Sequence, residues 1–120
     1  MKKETTVDIL GRTYKILFRK RKEDTYMEQE NLDGYCNVAT AEIVCRDYIQ
    51  DPDDHITEEI AEFSMQKTLR HELIHAFLHE SGLWASSSTA ECWAMQEEMV
   101  DWIALQMPKM ITVMREVGCL

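Results

Sequence analysis

An α+β fold is predicted for this 120-residue chain by three features: two runs of alternating apolar residues near the start, one long helical stretch in the middle, and two further helical stretches after it. The expected architecture is a small antiparallel three-stranded sheet packed on the long helix, followed by the two other helices. A chain of this length supports one core, so residues 1–120 are read as a single domain, with all strands inside residues 1–50.

Val7 and Ile9 alternate with polar neighbours, and after Gly11 so do Tyr14, Ile16 and Phe18, which reads as a hairpin. Residues 19–34 are polar with charges of both signs, as expected of a strand end and solvated loop. Ala41 to Arg46 is the third strand, with Ile43 and Cys45 on one face. Asp51-Pro52-Asp53-Asp54 breaks the pattern. Thr57 then serves as N-cap, Glu58 and Glu59 suit the positive end of the helix dipole, and Gly82 suits a helix end, which predicts a helix over residues 57–81. Ile60, Phe63, Leu69, Leu73, Phe77 and Leu78 are expected to fix it against the sheet.

Ser88 with Glu91 forms a capping-box pattern for a helix over residues 90–107. Trp93, Met95, Met99, Val100, Trp102, Ile103 and Leu105 make that helix apolar nearly all round, so it is expected to be buried between other elements. Pro108 is expected to stop it and open a last helix over residues 108–117, with Met110, Ile111, Val113, Met114 and Val117 inward and Gly118 at its end. The eight methionines read as core filler.

A net charge of −9 opposes binding to nucleic acid or to anionic lipid. No apolar run follows Lys2 and Lys3, and no stretch reaches the length of a membrane span, so a cytoplasmic location is expected. Cys36, Cys45, Cys92 and Cys119 are scattered without a Cys-x-x-Cys pair, which predicts reduced, mostly buried thiols.

The chemistry concentrates in Leu69-Arg70-His71-Glu72-Leu73-Ile74-His75-Ala76-Phe77-Leu78-His79. Residues four apart lie on one helix face, so His71 and His75 can offer two imidazole nitrogens to one metal ion. Glu72 is then within reach of a water on that metal, the arrangement of a zinc hydrolase with Glu72 as general base. The competing interpretation is two half-buried histidines without metal.

A catalytic zinc site needs a third protein ligand. A histidine six residues after the second is one known solution, but Ser81 stands there. His79 faces broadly the same way as His75, yet three successive turns about 5.4 Å apart rarely converge on one tetrahedral centre. His79 is therefore expected beside the metal or facing substrate, or as an ordinary surface histidine. Glu97 and Asp101 share a face of the next helix: Glu97 can complete the ligand set, and Asp101 can accept the free ring N–H of a ligand histidine. Glu98 points about 100° away, and a one-residue shift would put it in place of Glu97. The bland alternative is the acidic face of an exposed helix.

His-Glu-x-x-His followed by a helical Glu-x-x-x-Asp resembles the gluzincin pattern of metallopeptidases. The fuller string, His71 to His79 and then Glu97-Glu-Met-Val-Asp101-Trp-Ile-Ala104-Leu-Gln-Met-Pro108, is similar to the ImmA/IrrE family of phages, mobile elements and bacteria over residues 65–108. This chain departs from that pattern at Ile74, Val100 and Ile103, and Pro108 comes early. The resemblance implies a minimal zincin-like fold, a Zn2+ cofactor and an intracellular peptidase acting on a regulatory protein, often a transcriptional repressor.

The expected function is a zinc-dependent endopeptidase acting on a protein or peptide partner. The alternative is a zinc-containing regulatory or interaction module without turnover, in which Glu72 would have no use. A small-molecule hydrolase would need a closed pocket. His55, Tyr48 and Tyr35 precede the motif helix and are candidates to stabilise an oxyanion, with none preferred. The strand at residues 41–46 is the expected edge for pairing substrate, and a basic substrate surface would suit the negative charge.

Overall fold

The computed structural model describes residues 1, 3–87, 93–116, 118 and 120, without the side chains of 113 and 114. Strands β1 (Glu4–Ile9) and β2 (Arg12–Arg19) form the expected hairpin, with Val7 opposite Tyr14. Its turn places Leu10 and Gly11 at φ 53° and 94°, and the Asp8 carboxylate accepts the Gly11 N–H.

The rest of the sheet departs from expectation. It has four strands in the order β1-β2-β4-β3, adding β3 (Gly34–Asn37) beside β4 (Glu42–Arg46). β1/β2 and β3/β4 are antiparallel, but β2 and β4 run parallel, so the sheet is mixed. A parallel pair needs a crossover. The segment expected to be a loop supplies it, through α1 (Thr25–Glu30) and β3. Asp24 caps α1 by accepting the Met27 N–H at 3.0 Å, and Asn31 ends it in the left-handed conformation at φ 52°. Only Met27 of α1 is buried, packed with Leu17, Val44, Leu32 and Tyr35 on one sheet face. A helix this short and polar has no apolar stripe to betray it.

The other face carries the main core. Ile9, Tyr14, Ile16, Phe18, Ile43 and Cys45 meet Ala61, Met65, Leu69, Leu73 and Ala76 of α2 (Glu58–Glu80). Thr57 caps α2, its hydroxyl accepting the Ile60 N–H. Of the residues expected to fix α2 to the sheet, Leu69 and Leu73 do so, while Leu78 packs towards α4. Ile60, Phe63 and Phe77 are exposed instead, because the sheet claims one stripe of the helix and α4 another.

After the short α3 (Leu83–Ser86) and a 3-10 turn at Trp93–Met95, a single helix α4 (Glu97–Glu116) replaces the two predicted ones. It starts late: Gln96 accepts the Met99 N–H through its side chain, and the Ser88/Glu91 pattern lies outside the described residues. It packs on α2 through Ile74, Val100 and Ala104, with Leu78, Met99 and Ile103 at the margin. Trp93 and Met95 in the 3-10 turn are exposed, and on α4 Trp102, Leu105 and Met110 are exposed and Ile111 is half-buried, so α4 buries one stripe rather than all its faces.

α4 also runs through Pro108 without a break. Proline has no N–H for the carbonyl four residues back, here that of Ala104. The Arg70 Nε from α2 donates to that carbonyl at 2.7 Å, satisfying it from outside the helix. Among the described cysteines, Cys36 is half-buried and Cys45 buried, both free. No helix among the described residues is long and apolar enough to cross a membrane.

Candidate metal centre

The core positions α2 so that its sheet-facing stripe is apolar and the adjacent stripe, carrying His71 and His75, faces α4. The two rings stand edge to face with centroids 4.8 Å apart and Nε2 atoms 3.1 Å apart. Glu97 opens α4 and reaches both: one oxygen lies 2.9 Å from the His71 Nε2, the other 3.2 Å from the His75 Nε2. One ligand atom from each of these three residues lies within 4.8 Å of the others.

Asp101, one turn further on, places Oδ1 3.0 Å from the His71 Nδ1. Lys67 lies 3.7 Å from the same oxygen. A carboxylate there selects the tautomer with the proton on Nδ1 and leaves the Nε2 lone pair aimed at Glu97. Burial lowers the basicity of His75, with Glu97 opposing this and His71 adding to it. Ring nitrogens and a carboxylate converging this closely need a proton or a metal cation between them. Two imidazole nitrogens and a carboxylate oxygen are the donor set of a catalytic zinc site. The residues therefore fit a zinc ion.

Glu72 projects between α2 and the sheet edge and is 6 % exposed. Burial pushes its carboxyl up to about 7; His71 works against this and Glu97 with it. A metal cation on the neighbouring ligands would favour the ionised form, which a general base needs.

A cavity of about 380 Å3 opens over these groups. His71, Glu72, His75 and Glu97 line it together with the apolar side chains of Leu32, Val38, Leu78, Trp84, Ala94 and Met95. Glu97 is 70 % exposed, so the ligand group is open to solvent. The turn carrying Val38 is held by Arg12, whose guanidinium donates to the carbonyls of Val38 at 2.6 Å and Ala39 at 3.0 Å. Glu80, near the end of α2, accepts from Arg12 at 3.0 Å and from the Tyr14 hydroxyl at 2.7 Å, tying this turn to the motif helix.

The expected edge strand is corrected: β4 is interior and β3 is the edge beside α2. The Arg46 N–H donates to the Asp33 carbonyl, so closely bonded pairs fall at Asp33/Arg46, Tyr35/Val44 and Asn37/Glu42. Gly34 and Cys36 therefore turn their N–H and C=O groups to the open edge.

His79 stays outside the ligand group, its ring edge-on to Trp84 at 4.9 Å between centroids, so it backs the cavity wall. Glu98 is exposed and also outside the ligand group. None of the three oxyanion candidates presents a free donor to the cavity. Tyr35 lines it but donates its hydroxyl to Asp24 at 2.7 Å; Tyr48 is buried under the Arg46 guanidinium at 4.3 Å; His55 is exposed in the loop before α2. Gly34, Arg12 and Trp84 were not expected at the site. No local pattern marks them, since each acts through a partner distant in sequence. Comparison of the chain with family models, curated proteins and solved structures returns no match.

Proposed function

We propose that the protein is a zinc-dependent endopeptidase that cleaves an extended segment of an intracellular protein. The ImmA/IrrE resemblance makes a phage or mobile-element transcriptional repressor the substrate class to test first. The observation that carries this proposal is the convergence of His71, His75 and Glu97 within 4.8 Å, beside the buried Glu72. A zinc ion held there supplies Lewis acidity towards water and a scissile carbonyl. Glu72 takes a proton from the attacking water and returns it to the leaving amide nitrogen. Asp101 holds His71 in the tautomer that ligates. The free edge of β3 pairs with the substrate backbone, and the apolar lining of the cavity takes a side chain next to the scissile bond.

The decisive experiment measures zinc by mass spectrometry in protein purified without chelator, then incubates wild type and Glu72→Gln with a repressor encoded beside this gene. Near-stoichiometric zinc in both proteins, with cleavage by wild type alone, is the expected result. Metal-free protein, or cleavage by both, would overturn the proposal. Zinc without cleavage by either points to the metal-holding interaction module.

A further inference from the structure

Three residues line both the 380 Å3 cavity and a second one of about 190 Å3 on the far side of the site: Gly34, His71 and Glu72. Two of them are the first ligand and the base. The third is a glycine with no side chain to offer, in ordinary extended backbone, so its conformation does not demand glycine. What demands it is space. A Cβ on Gly34 would lie 2.6 Å from the Thr68 Cγ2, 3.0 Å from the Val44 carbonyl oxygen and 3.5 Å from the Glu72 Cγ. The first is a clash and the second admits little relief, because it is backbone of the neighbouring strand. Gly34 is thus where β3 slides beneath α2, one helical turn (Thr68 to Glu72) spanning it.

We propose that Gly34 is a positioning residue that sets the distance between the substrate-pairing edge of β3 and the base and ligands on α2. The inference rests on the peptidase proposal above. A methyl group at this position forces β3 away from α2, because α2 is anchored along its whole sheet-facing stripe and β3 is bonded to the sheet on one side only. The outward N–H and C=O groups of Gly34 move with the strand. His71, His75 and Glu97 do not, since all three stand on α2 and α4. A side chain at residue 34 therefore separates peptide recognition from metal binding, two properties that a general loss of structure would damage together.

The test uses zinc-loaded protein and two probes: acetohydroxamate, which engages only the metal, and a tripeptide hydroxamate, which also pairs with the strand edge. Wild type should bind the tripeptide hydroxamate more tightly. Gly34→Ala should keep full zinc content and acetohydroxamate affinity while losing about tenfold on the tripeptide probe, the effect of two main-chain hydrogen bonds. Gly34→Ala with Thr68→Ser, which removes the Cγ2 in the way, should recover part of that loss; Thr68→Ser alone should bind like wild type. Equal affinity of Gly34→Ala and wild type for the tripeptide probe overturns the inference, as does a parallel loss of zinc or acetohydroxamate, or no recovery in the double variant. If wild type itself gains nothing from the tripeptide, the peptidase proposal fails with it, and that outcome is read before any variant is made.

Discussion

Glu72 is a carboxyl buried under a strand edge, with no cation hydrogen-bonded to it among the described residues, and its raised pKa has a consequence for stability. Its folded-state value of about 7 lies above the ordinary 4.5, so the folded protein holds the proton more tightly than the unfolded chain does. Metal-free protein should therefore lose stability as pH rises from about 4.5 to about 7 on account of this group. His75, whose basicity is lowered, contributes with the opposite sign, losing stability as pH falls through its ordinary 6.5, but it is common to wild type and variant. Glu72→Gln should make the chelator-treated protein more stable than wild type by up to roughly 3 kcal/mol at about pH 8, the gap closing near pH 4. Urea unfolding at the two pH values measures this. A variant less stable than wild type at the higher pH would mean that the carboxylate has a partner in the fold. Of the three candidate ligands Asp101 contacts only His71, so Asp101→Asn should weaken zinc binding by about 10–100-fold without abolishing it, read by competition with a chromophoric chelator.

At the scale of elements, the contact between Arg70 and Ala104 decides how α4 docks. Pro108 would ordinarily end a helix, and residues 90–107 and 108–117 read as two helices for that reason. The carbonyl that Pro108 leaves without a donor is also where α2 can grip α4, and Arg70 takes it. Arg70→Leu should cost about 1–3 kcal/mol by stranding that carbonyl. With Pro108→Ala the helix supplies its own N–H, so Arg70→Leu should cost less, and a double-mutant cycle by urea unfolding should show coupling of about 0.5–3 kcal/mol. Simple additivity would mean that water serves the carbonyl as well as arginine does. Helix α1 and strand β3 escaped the sequence for a related reason. Their places are set by Met27 entering a pocket between Leu17 and Val44 and by pairing with β4, neither of which leaves a periodic pattern.

Across the whole molecule, the candidate ligands join two elements that also meet through an apolar contact and the Arg70–Ala104 bond. α4 meets α2 through Ile74, Val100 and Ala104 at the centre, and its outer half is largely exposed. Zinc binding should therefore stabilise the docking of α4 more than the sheet. At a free concentration of 100 times Kd it should add about 2.7 kcal/mol, raising Tm by roughly 10 °C in a domain of this size, with EDTA reversing the shift. Hydrogen exchange should show the largest gain in protection in the first turns of α4. Protection rising evenly over sheet and helices, or no Tm shift, would argue that the cluster does not bridge α2 and α4 through metal.

His71, Glu72 and His75 could be read directly because helical spacing is local: residues four apart share a face whatever the helix packs on. The same rule paired Glu97 with Asp101. Neither pattern contains the fact that the two faces meet, which depends on α4 starting at Glu97 and crossing α2 at Ile74 and Val100. The apolar positions on α2 and α4 were visible as residue types, but which stripe is covered depends on the neighbour, so Phe63, Phe77 and Trp102 ended exposed. Gly34 is the extreme case. Its backbone is unremarkable and its neighbours in the chain say nothing of it, since the group that excludes a side chain there is a threonine methyl 34 residues away in sequence. Local geometry wrote the candidate metal ligands and the candidate base into the chain; the approach of strand to helix, and with it the shape of the cleft, came from long-range packing alone.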